Sequence, residues 1–284
     1  MNILQNLSSI GLIFIATASY AISPSQIRWH NETSDTTNIT KLLTALGNAP
    51  SDPGIISTAI AKQLIGTPYG GKTIESQPEM LTLRLDSLDC TTFVENVAAA
   101  AITLHMGRNS WQDFAHSLME IRYRGGAVNG YASRLHYISD WILDNAHRGN
   151  LQDVTDRIGK ADYMVKTLDF MTQHRDKYPA LENEENYNAL KNAEIGYRSH
   201  RFPYIKTMNI KSASLKEGDI VAIVTSIKGL DVTHVGLITM VNGTPHLLHA
   251  SSANARVEIS PLPLYDYVKR NRSAVGIRVI RITP

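Results

Sequence analysis

The spacing of apolar residues changes about three quarters of the way along the chain. Between residues 55 and 64, apolar residues recur every three or four positions, as in a helix with one buried face. Residues 111–200 are more charged and also follow a largely helical pattern, interrupted by two glycine-containing stretches. Downstream of Leu215 the chain is rich in valine and isoleucine, which predicts strands.

The last part of the chain is predicted to form one sheet with one short helix. The predicted strands are 219–225, 232–241, 245–250 and 274–282, and the predicted helix is 261–270. Asn242-Gly243, between two of these strands, is a strong β-hairpin signal. Helices followed by an antiparallel sheet predict an α+β fold.

The N-terminal segment 1–21 reads as a secretory signal. A short apolar block over 10–16 precedes the small residues Ser19 and Ala21. The block falls short of the roughly 20 residues that cross a bilayer, so no membrane span is expected in the mature chain. The alternative is a buried N-terminal helix. We expect a periplasmic or secreted protein with a single domain over 22–284, since no repeat or linker divides it.

Composition excludes several classes of protein. The chain has 284 residues, 43% apolar and 19% charged, which is typical of a globular protein and not of a disordered one. Its 28 basic and 26 acidic residues give a net charge of +2, so no nucleic-acid partner is indicated. The single cysteine, Cys90, excludes an intrachain disulfide and a thiolate-rich metal centre. We expect neither a metal nor an organic cofactor.

Cys90 lies at the start of a predicted helix. Asp89 is a favourable N-cap, and Phe93, Val97 and Ala101 follow at helical spacing. Unpaired backbone N–H groups and the helix dipole favour an anion at this position, which predicts a lowered pKa for the Cys90 thiol. The alternative is a small buried apolar residue, because most lone cysteines are of that kind.

Two histidines are predicted on one face of the hairpin. If Asn242-Gly243 is the two-residue turn, paired residues have numbers that add to 485, and His249 faces Gly236. His234 and His249 are then diagonal neighbours, roughly 7–8 Å apart at the backbone. His246 points to the other face, which disfavours a metal site with His249. Two histidines on one face provide the base and orienting group that a cysteine nucleophile needs.

These motifs resemble those of a known family. Segments 88–93, 233–237 and 248–250 look like the three motifs of the NlpC-type papain-like cell-wall peptidases, and 66–71 resembles their Gly-x-Pro-Tyr element. The segment 131–141 makes the chain most similar to the N-acetylmuramoyl-L-alanine amidase-like branch. The resemblance implies a papain-like core, with the cysteine helix packed on an antiparallel sheet that carries both histidines.

The resemblance also implies roles for individual residues. Cys90 matches the nucleophile, His234 the general base and His249 the polar group that orients the base. Tyr69 matches a tyrosine that lines the pocket of the nucleophile.

The chain departs from the common pattern at two places. Thr91-Thr92 replaces the usual Ser-Gly, which places Thr91 in the substrate channel. A large helical insertion at about 106–212 separates the cysteine from the histidines and is expected to wall the site. Within it, Arg134 and His136 are candidates for binding a peptide carboxylate, the alternative being a solvated helix face.

The expected function is hydrolysis of an amide bond in peptidoglycan fragments during cell-wall recycling. The resemblance favours the bond between the lactyl group of N-acetylmuramic acid and L-alanine, in muropeptides or anhydro-muropeptides. The first alternative is an endopeptidase that cleaves between γ-D-glutamate and a diamino acid. The second is an inactive muropeptide-binding module, although such a module would be expected to lack the cysteine or a histidine.

Overall fold

The computed structural model describes residues 22, 26–47, 50–197 and 201–283. The predicted signal segment 1–21 lies outside the described residues. Within the described part of the chain, none of the helices combines the length and apolar character needed to cross a bilayer.

In the described chain most of the helices precede β5, and most of the longer strands follow it. The helices are α1 (Glu32–Thr44), α2 (Pro53–Gln63), α3 (Cys90–His105), α4 (Trp111–Arg122), α5 (Ile138–His147), α6 (Thr155–Ile158), α7 (Phe170–Gln173), α8 (Glu184–Gly196) and α9 (Leu264–Arg270). The strands are β1 (Ile27–Trp29), β2 (Leu81–Leu83), β3 (Leu151–Asp153), β4 (Ala161–Val165), β5 (Arg201–Lys206), β6 (Ile220–Thr225), β7 (Val232–Val241), β8 (Thr244–Ser251), β9 (Arg256–Pro263) and β10 (Ala274–Ile282).

The main sheet has eight strands and is antiparallel throughout. Its order is β4-β5-β10-β6-β7-β8-β9, with β3 paired to the remaining part of β10. Strands β1 and β2 form a separate parallel pair. This arrangement confirms an α+β fold with an antiparallel sheet.

The segment predicted as a helical insertion is not purely helical. Strands β3, β4 and β5 lie within 106–212 and belong to the main sheet, which corrects the prediction. Strand β4 is at the sheet edge, and its Tyr163 and Val165 are exposed. Because its apolar residues are divided between this exposed face and the face of the partly buried Met164, the strand lacks the alternation that identifies strands in sequence. Strand β9 was missed as well, while α9 falls within the predicted helix.

Helix α3 fixes the position of Cys90 against the sheet. Asp89 caps the helix: its carboxylate accepts from Thr92 N at 2.8 Å, and Thr92 Oγ1 accepts from Asp89 N at 2.9 Å. This capping box confirms the predicted helix start. Deeper in the helix, buried Glu95 accepts from Arg122 Nε of α4 at 2.7 Å. A buried pair of this kind holds the two helices in one register, since breaking it leaves an unpaired charge.

Candidate active site

The β7–β8 hairpin has the register that the sequence predicts. Leu237 pairs with Leu248 and Thr239 with His246 across the turn. His234 and His249 therefore share one face, and His234 Nε2 lies 2.7 Å from His249 Nδ1. The two rings are perpendicular, with centroids 4.8 Å apart. One nitrogen donates and the other accepts, so each imidazole fixes the orientation of its partner.

Gly236 allows the two strands to approach beside this pair. A Cβ atom at Gly236 would lie 2.8 Å from Leu248 O and 2.9 Å from the Cβ of His249. These distances are shorter than ordinary van der Waals contact. The glycine of the Thr-His-Val-Gly motif is therefore required by the close packing of His249.

Gly236→Ala is expected to displace His249 and break the imidazole pair. We expect about 1–3 kcal/mol loss in the free energy of unfolding, as for other overpacked sites, and at least about a tenfold loss of kcat. Gly243→Ala is the matched control, because it lies in the turn with φ +77° and no atom within 4 Å of the added Cβ. It is expected to lose about 1 kcal/mol from backbone strain and to keep its activity. Denaturant unfolding and hydrolysis rates measure both; equal activity losses would contradict the steric explanation.

The Cys90 sulfur lies against β7 at Val235. Hydrogen bonds from the backbone of Val235, from the backbone of Thr91 and from the Thr91 side chain each lower the pKa of the thiol. Val235 directly follows His234 in β7, so the sulfur lies against the same short stretch of strand that carries the predicted base. Thr91 contacts the sulfur itself, which is a role that its sequence position did not reveal.

The thiol is nevertheless protonated in the resting protein. Burial, and then the negative charge of Asp89, raise the pKa of Cys90 to about 11. This corrects the expectation of a lowered pKa. The helix N-terminus is the environment expected, but the Asp89 carboxylate that caps it places a negative charge beside the sulfur.

Both imidazoles are neutral in the resting protein. Burial, and then the charge of the nearby His249, lower the pKa of His234 to about 3. Burial also lowers the pKa of His249 to about 4, against an opposing influence of the Glu258 carboxylate. The site therefore holds a thiol and two neutral imidazoles, and not a preformed thiolate–imidazolium pair.

Stability is expected to fall as pH drops below 6.5. In the unfolded chain His136, His234 and His249 bind protons near pH 6.5, whereas burial lowers the pKa of each to about 3–4 when folded. The unfolded state then holds more protons between these limits, so acid favours unfolding. We expect about 2 kcal/mol of lost stability per histidine at pH 5, because pH 5 lies about 1.5 units below the pKa of the unfolded imidazole. Urea unfolding at pH 7.5 and 5 measures the loss, which His136→Gln should reduce; an unchanged loss would contradict this assignment.

Tyr69 is held beside Cys90 by the loop that carries it. Within 66–71, Gly66 N donates to Val257 O at 2.9 Å and Tyr69 N donates to Ala255 O at 2.9 Å. Burial raises the pKa of Tyr69, and the charge of a Cys90 thiolate raises it further. The placement agrees with the predicted pocket-lining tyrosine, although its role stays a prediction.

A cavity of about 210 Å³ opens next to the cysteine. Thr91 of α3 lines it on one side, and Arg134, His136 and Lys177 from the predicted insertion 106–212 line the others. The insertion therefore lines a cavity that is also lined by Asp89 and Thr91, the residues on either side of Cys90, and its role as a wall of the active site stays a prediction. A second cavity of about 460 Å³ shares residues with the first and extends it outward.

Arg134 and His136 do not offer the free positive charge expected of them. Arg134 is buried, and its guanidinium pairs with Glu75 at 2.8 Å and with Glu79 at 3.4 Å. His136 Nε2 donates to the backbone carbonyl of Tyr131 at 2.9 Å, and burial followed by the Arg134 charge lowers the pKa of His136 to about 3. Both residues line the pocket, but their charges are balanced or absent.

Sequence reasoning missed several residues near the site. Lys72 and Lys177 are exposed cations at the pocket. Glu258 of β9 pairs with His249 across the sheet, and the ring of Tyr267 in α9 lies 5.2 Å from that of His249. Glu258 and Tyr267 could be placed only by predicting strand β9, whose sequence shows no clear strand pattern. Among the residues that the structure describes, no group of three or more potential ligands is arranged for a metal ion.

Comparisons with known proteins identify the family. Residues 59–277 match the AmiA-like family, described as N-acetylmuramoyl-L-alanine amidase-like. A crystal structure of an N-acetylmuramoyl-L-alanine amidase from Bacteroides uniformis is 35% identical with a TM-score of 0.77, covering 82% of this chain and 99% of its own.

Two other solved structures are similar to the chain. A protein from Bacteroides fragilis, described provisionally as a xylanase, is 36% identical with a TM-score of 0.74, covering 78% of this chain and 99% of its own. A Legionella pneumophila protein at 19% identity has a TM-score of 0.69, covers 89% of this chain and 96% of its own, and shows the fold alone. A search of curated protein sequences finds no significant match. The family match and the amidase structure establish that the chain belongs to the AmiA-like, N-acetylmuramoyl-L-alanine amidase-like family.

Proposed function

We propose that this protein is a cysteine-dependent N-acetylmuramoyl-L-alanine amidase that acts on soluble muropeptides. The observation that carries the proposal is the site itself: the Cys90 thiol lies against β7 at Val235, the residue after His234, and His234 is hydrogen-bonded to His249 at 2.7 Å. A nucleophile, a base and a group that orients the base are the parts that covalent amide hydrolysis requires. Family membership supplies the substrate class.

His234 is the proposed base. Its Nε2 faces His249, which leaves Nδ1 for the thiol proton. Sγ of Cys90 attacks the lactyl carbonyl as Nδ1 takes that proton, and the resulting imidazolium protonates the nitrogen of L-alanine as the C–N bond breaks. Water then attacks the thioester, with His234 again as base, and releases the muramic acid carboxylate. The two products are a sugar acid and a free peptide.

Proton transfer accompanies the attack and does not precede it. Burial keeps the pKa of Cys90 high and that of His234 low, so a separated ion pair is unfavourable before substrate binds. The developing oxyanion is proposed to be met by the backbone N–H of Cys90, which has no acceptor in its own helix at this first position.

The pocket beside Cys90 supports a small substrate. The two connected cavities, of about 210 and 460 Å³, fall in the size range of sites for small ligands. Walls from the segment 106–212 close the near end, which favours a fragment over an intact glycan strand. Lys72 and Lys177 are proposed to contact the carboxylates of the peptide.

Glycosidase chemistry is less well supported, despite the neighbour described provisionally as a xylanase. Such chemistry needs two carboxylates that flank the scissile bond. Of the carboxylates that line the cavity next to Thr91, Glu75 pairs with Arg134, Glu95 pairs with Arg122, and Asp89 caps α3, so each is already engaged. Xylan is therefore a suitable negative control substrate.

The bond cleaved is tested with defined muropeptides and mass analysis of the products. We expect free sugar plus an intact stem peptide with an N-terminal L-alanine, from both muropeptides and anhydro-muropeptides. Sugar-free peptides are expected to react at least about tenfold more slowly, because remote sugar contacts position the reacting carbonyl. Cleavage of a sugar-free tripeptide after D-glutamate at the full rate would establish the endopeptidase alternative. Tight binding with no product from any of them would establish an inactive muropeptide-binding module.

The location and the fold family complete the proposal. From the segment 1–21 we propose export to the periplasm or the medium, where muropeptides occur. The cysteine helix packed on a histidine-bearing antiparallel sheet supports a papain-like core of the NlpC type.

A further inference from the structure

Tyr267 lies over the imidazole pair. Its ring centroid is 5.2 Å from that of His249, nearly edge-on at 72°, and 6.1 Å from that of His234, tilted by 31°. The side chain projects from α9, which follows β9 directly and packs on β8 and β9. One aromatic ring thus touches both members of the pair.

The charged and titratable groups of the site come from several elements. The carboxylate of Glu258 in β9 acts on His249, while Cys90 of α3 has Asp89 and, from the loop 66–71, Tyr69 beside it. The thiolate charge of Cys90 and the carboxylate of Glu258 both raise the pKa of Tyr267, after burial, which shows that the ring borders the same space. Tyr267 is the group that α9 contributes to the site.

Water would weaken the bond that Tyr267 covers. A hydrogen bond between two neutral groups contributes only about 0.5–1.5 kcal/mol net, because water competes for both partners. In a surrounding of lower dielectric the same bond is stronger. Since the orientation of His234 depends on its bond to His249, access of water there would loosen the base.

We propose that Tyr267 is a positioning residue whose ring shields the His234–His249 hydrogen bond from water and so holds His234 toward Cys90. This inference rests on the proposed function, because it gives the pair its task. The aromatic ring itself excludes the water, since it is the ring of Tyr267 that contacts the ring of His249. The hydroxyl group is not needed for it.

Three variants test the proposal. Tyr267→Leu removes the ring, Tyr267→Phe keeps it without the hydroxyl, and Tyr265→Leu is the matched control on the same helix. Tyr265 instead stacks with Lys211 and Lys269. Amidase rates are measured from pH 4.5 to 8, and the imidazole signals are titrated by NMR in a Cys90→Ala background, where no turnover is needed.

We expect Tyr267→Leu to lose at least about tenfold in kcat with KM within about twofold. The acid side of its pH–rate profile and the pKa values of its two histidines should shift upward toward 6.5, because the imidazoles gain contact with water. Tyr267→Phe should stay within about threefold of the wild-type kcat with an unchanged pH profile, and Tyr265→Leu should match the wild type in both.

Two results would overturn the proposal. One is a Tyr267→Leu protein whose histidine titrations and pH profile equal those of Tyr265→Leu. The other is a Tyr267→Phe protein as impaired as Tyr267→Leu, which would assign the effect to the hydroxyl group. Failure of the proposed function would be seen separately, because the Cys90→Ala variant would then remain active. The NMR titration tests the role of Tyr267 without any turnover.

Discussion

Replacing Cys90 with alanine is expected to lower the rate of amide hydrolysis by at least about 10³-fold while the fold stays intact. The sulfur is the proposed attacking atom, and this is the single cysteine of the chain. Alanine fits the space, and the capping box that starts α3 is made by Asp89 and Thr92 without the sulfur. Hydrolysis of a defined muropeptide and circular dichroism measure the two effects.

Cys90→Ser is the closer replacement and should be almost as inactive, because a hydroxyl is a poorer nucleophile at this position. Iodoacetamide should label the wild-type protein slowly at pH 7, since burial raises the pKa of the thiol to about 11. Retention of a tenth of the wild-type rate by Cys90→Ala would exclude a thioacyl intermediate.

His234→Ala is expected to cost about 10²–10⁴-fold in kcat, the usual contribution of a general base. His249 should be more tolerant, because its task is to orient His234. In His249→Asn the amide can reach the position of Nδ1, which lies 2.7 Å from His234 Nε2. We expect a loss of about tenfold for His249→Asn and about 10²-fold for His249→Leu.

His246→Ala is the matched control for the histidines, on the same strand as His249. Its Nδ1 contacts Ser260 O at 2.9 Å, away from the imidazole pair. Activity within about twofold of wild type is expected for His246→Ala. The register-based assignment of roles would be wrong if His246→Ala lost more activity than His249→Leu.

The hairpin could be predicted from sequence because its signals are local. Asn242-Gly243 fixes the turn, and pairing across a two-residue turn then places every side chain up to His234 and His249 on a known face. The start of α3 was predictable for the same reason, since Asp89 caps the helix within three residues. The roles of Cys90 and the histidines stay predictions.

The environment of the site could not be predicted, because it depends on parts of the chain far away in sequence. Tyr267 reaches the imidazoles only through the path of β9 and α9. Burial and the Asp89 charge reverse the pKa shift expected at the helix start, and the sequence alone shows neither distance nor burial. The sequence alone suggests that Arg134 is a free cation, but the structure pairs its guanidinium with Glu75 and Glu79.

The position of β10 in the sheet has a consequence for how the molecule forms. This C-terminal strand lies between β6 and the strands β3 and β5, so it joins the two halves of the sheet. The meander from β6 to β9 contains only local pairings and can fold early, whereas β3 and β5 must wait for a strand at the far end of the chain. During synthesis the last strand therefore completes the sheet. Until β10 is in place, the strands β3, β4 and β5 have no connection within the sheet to the strands that carry the histidines.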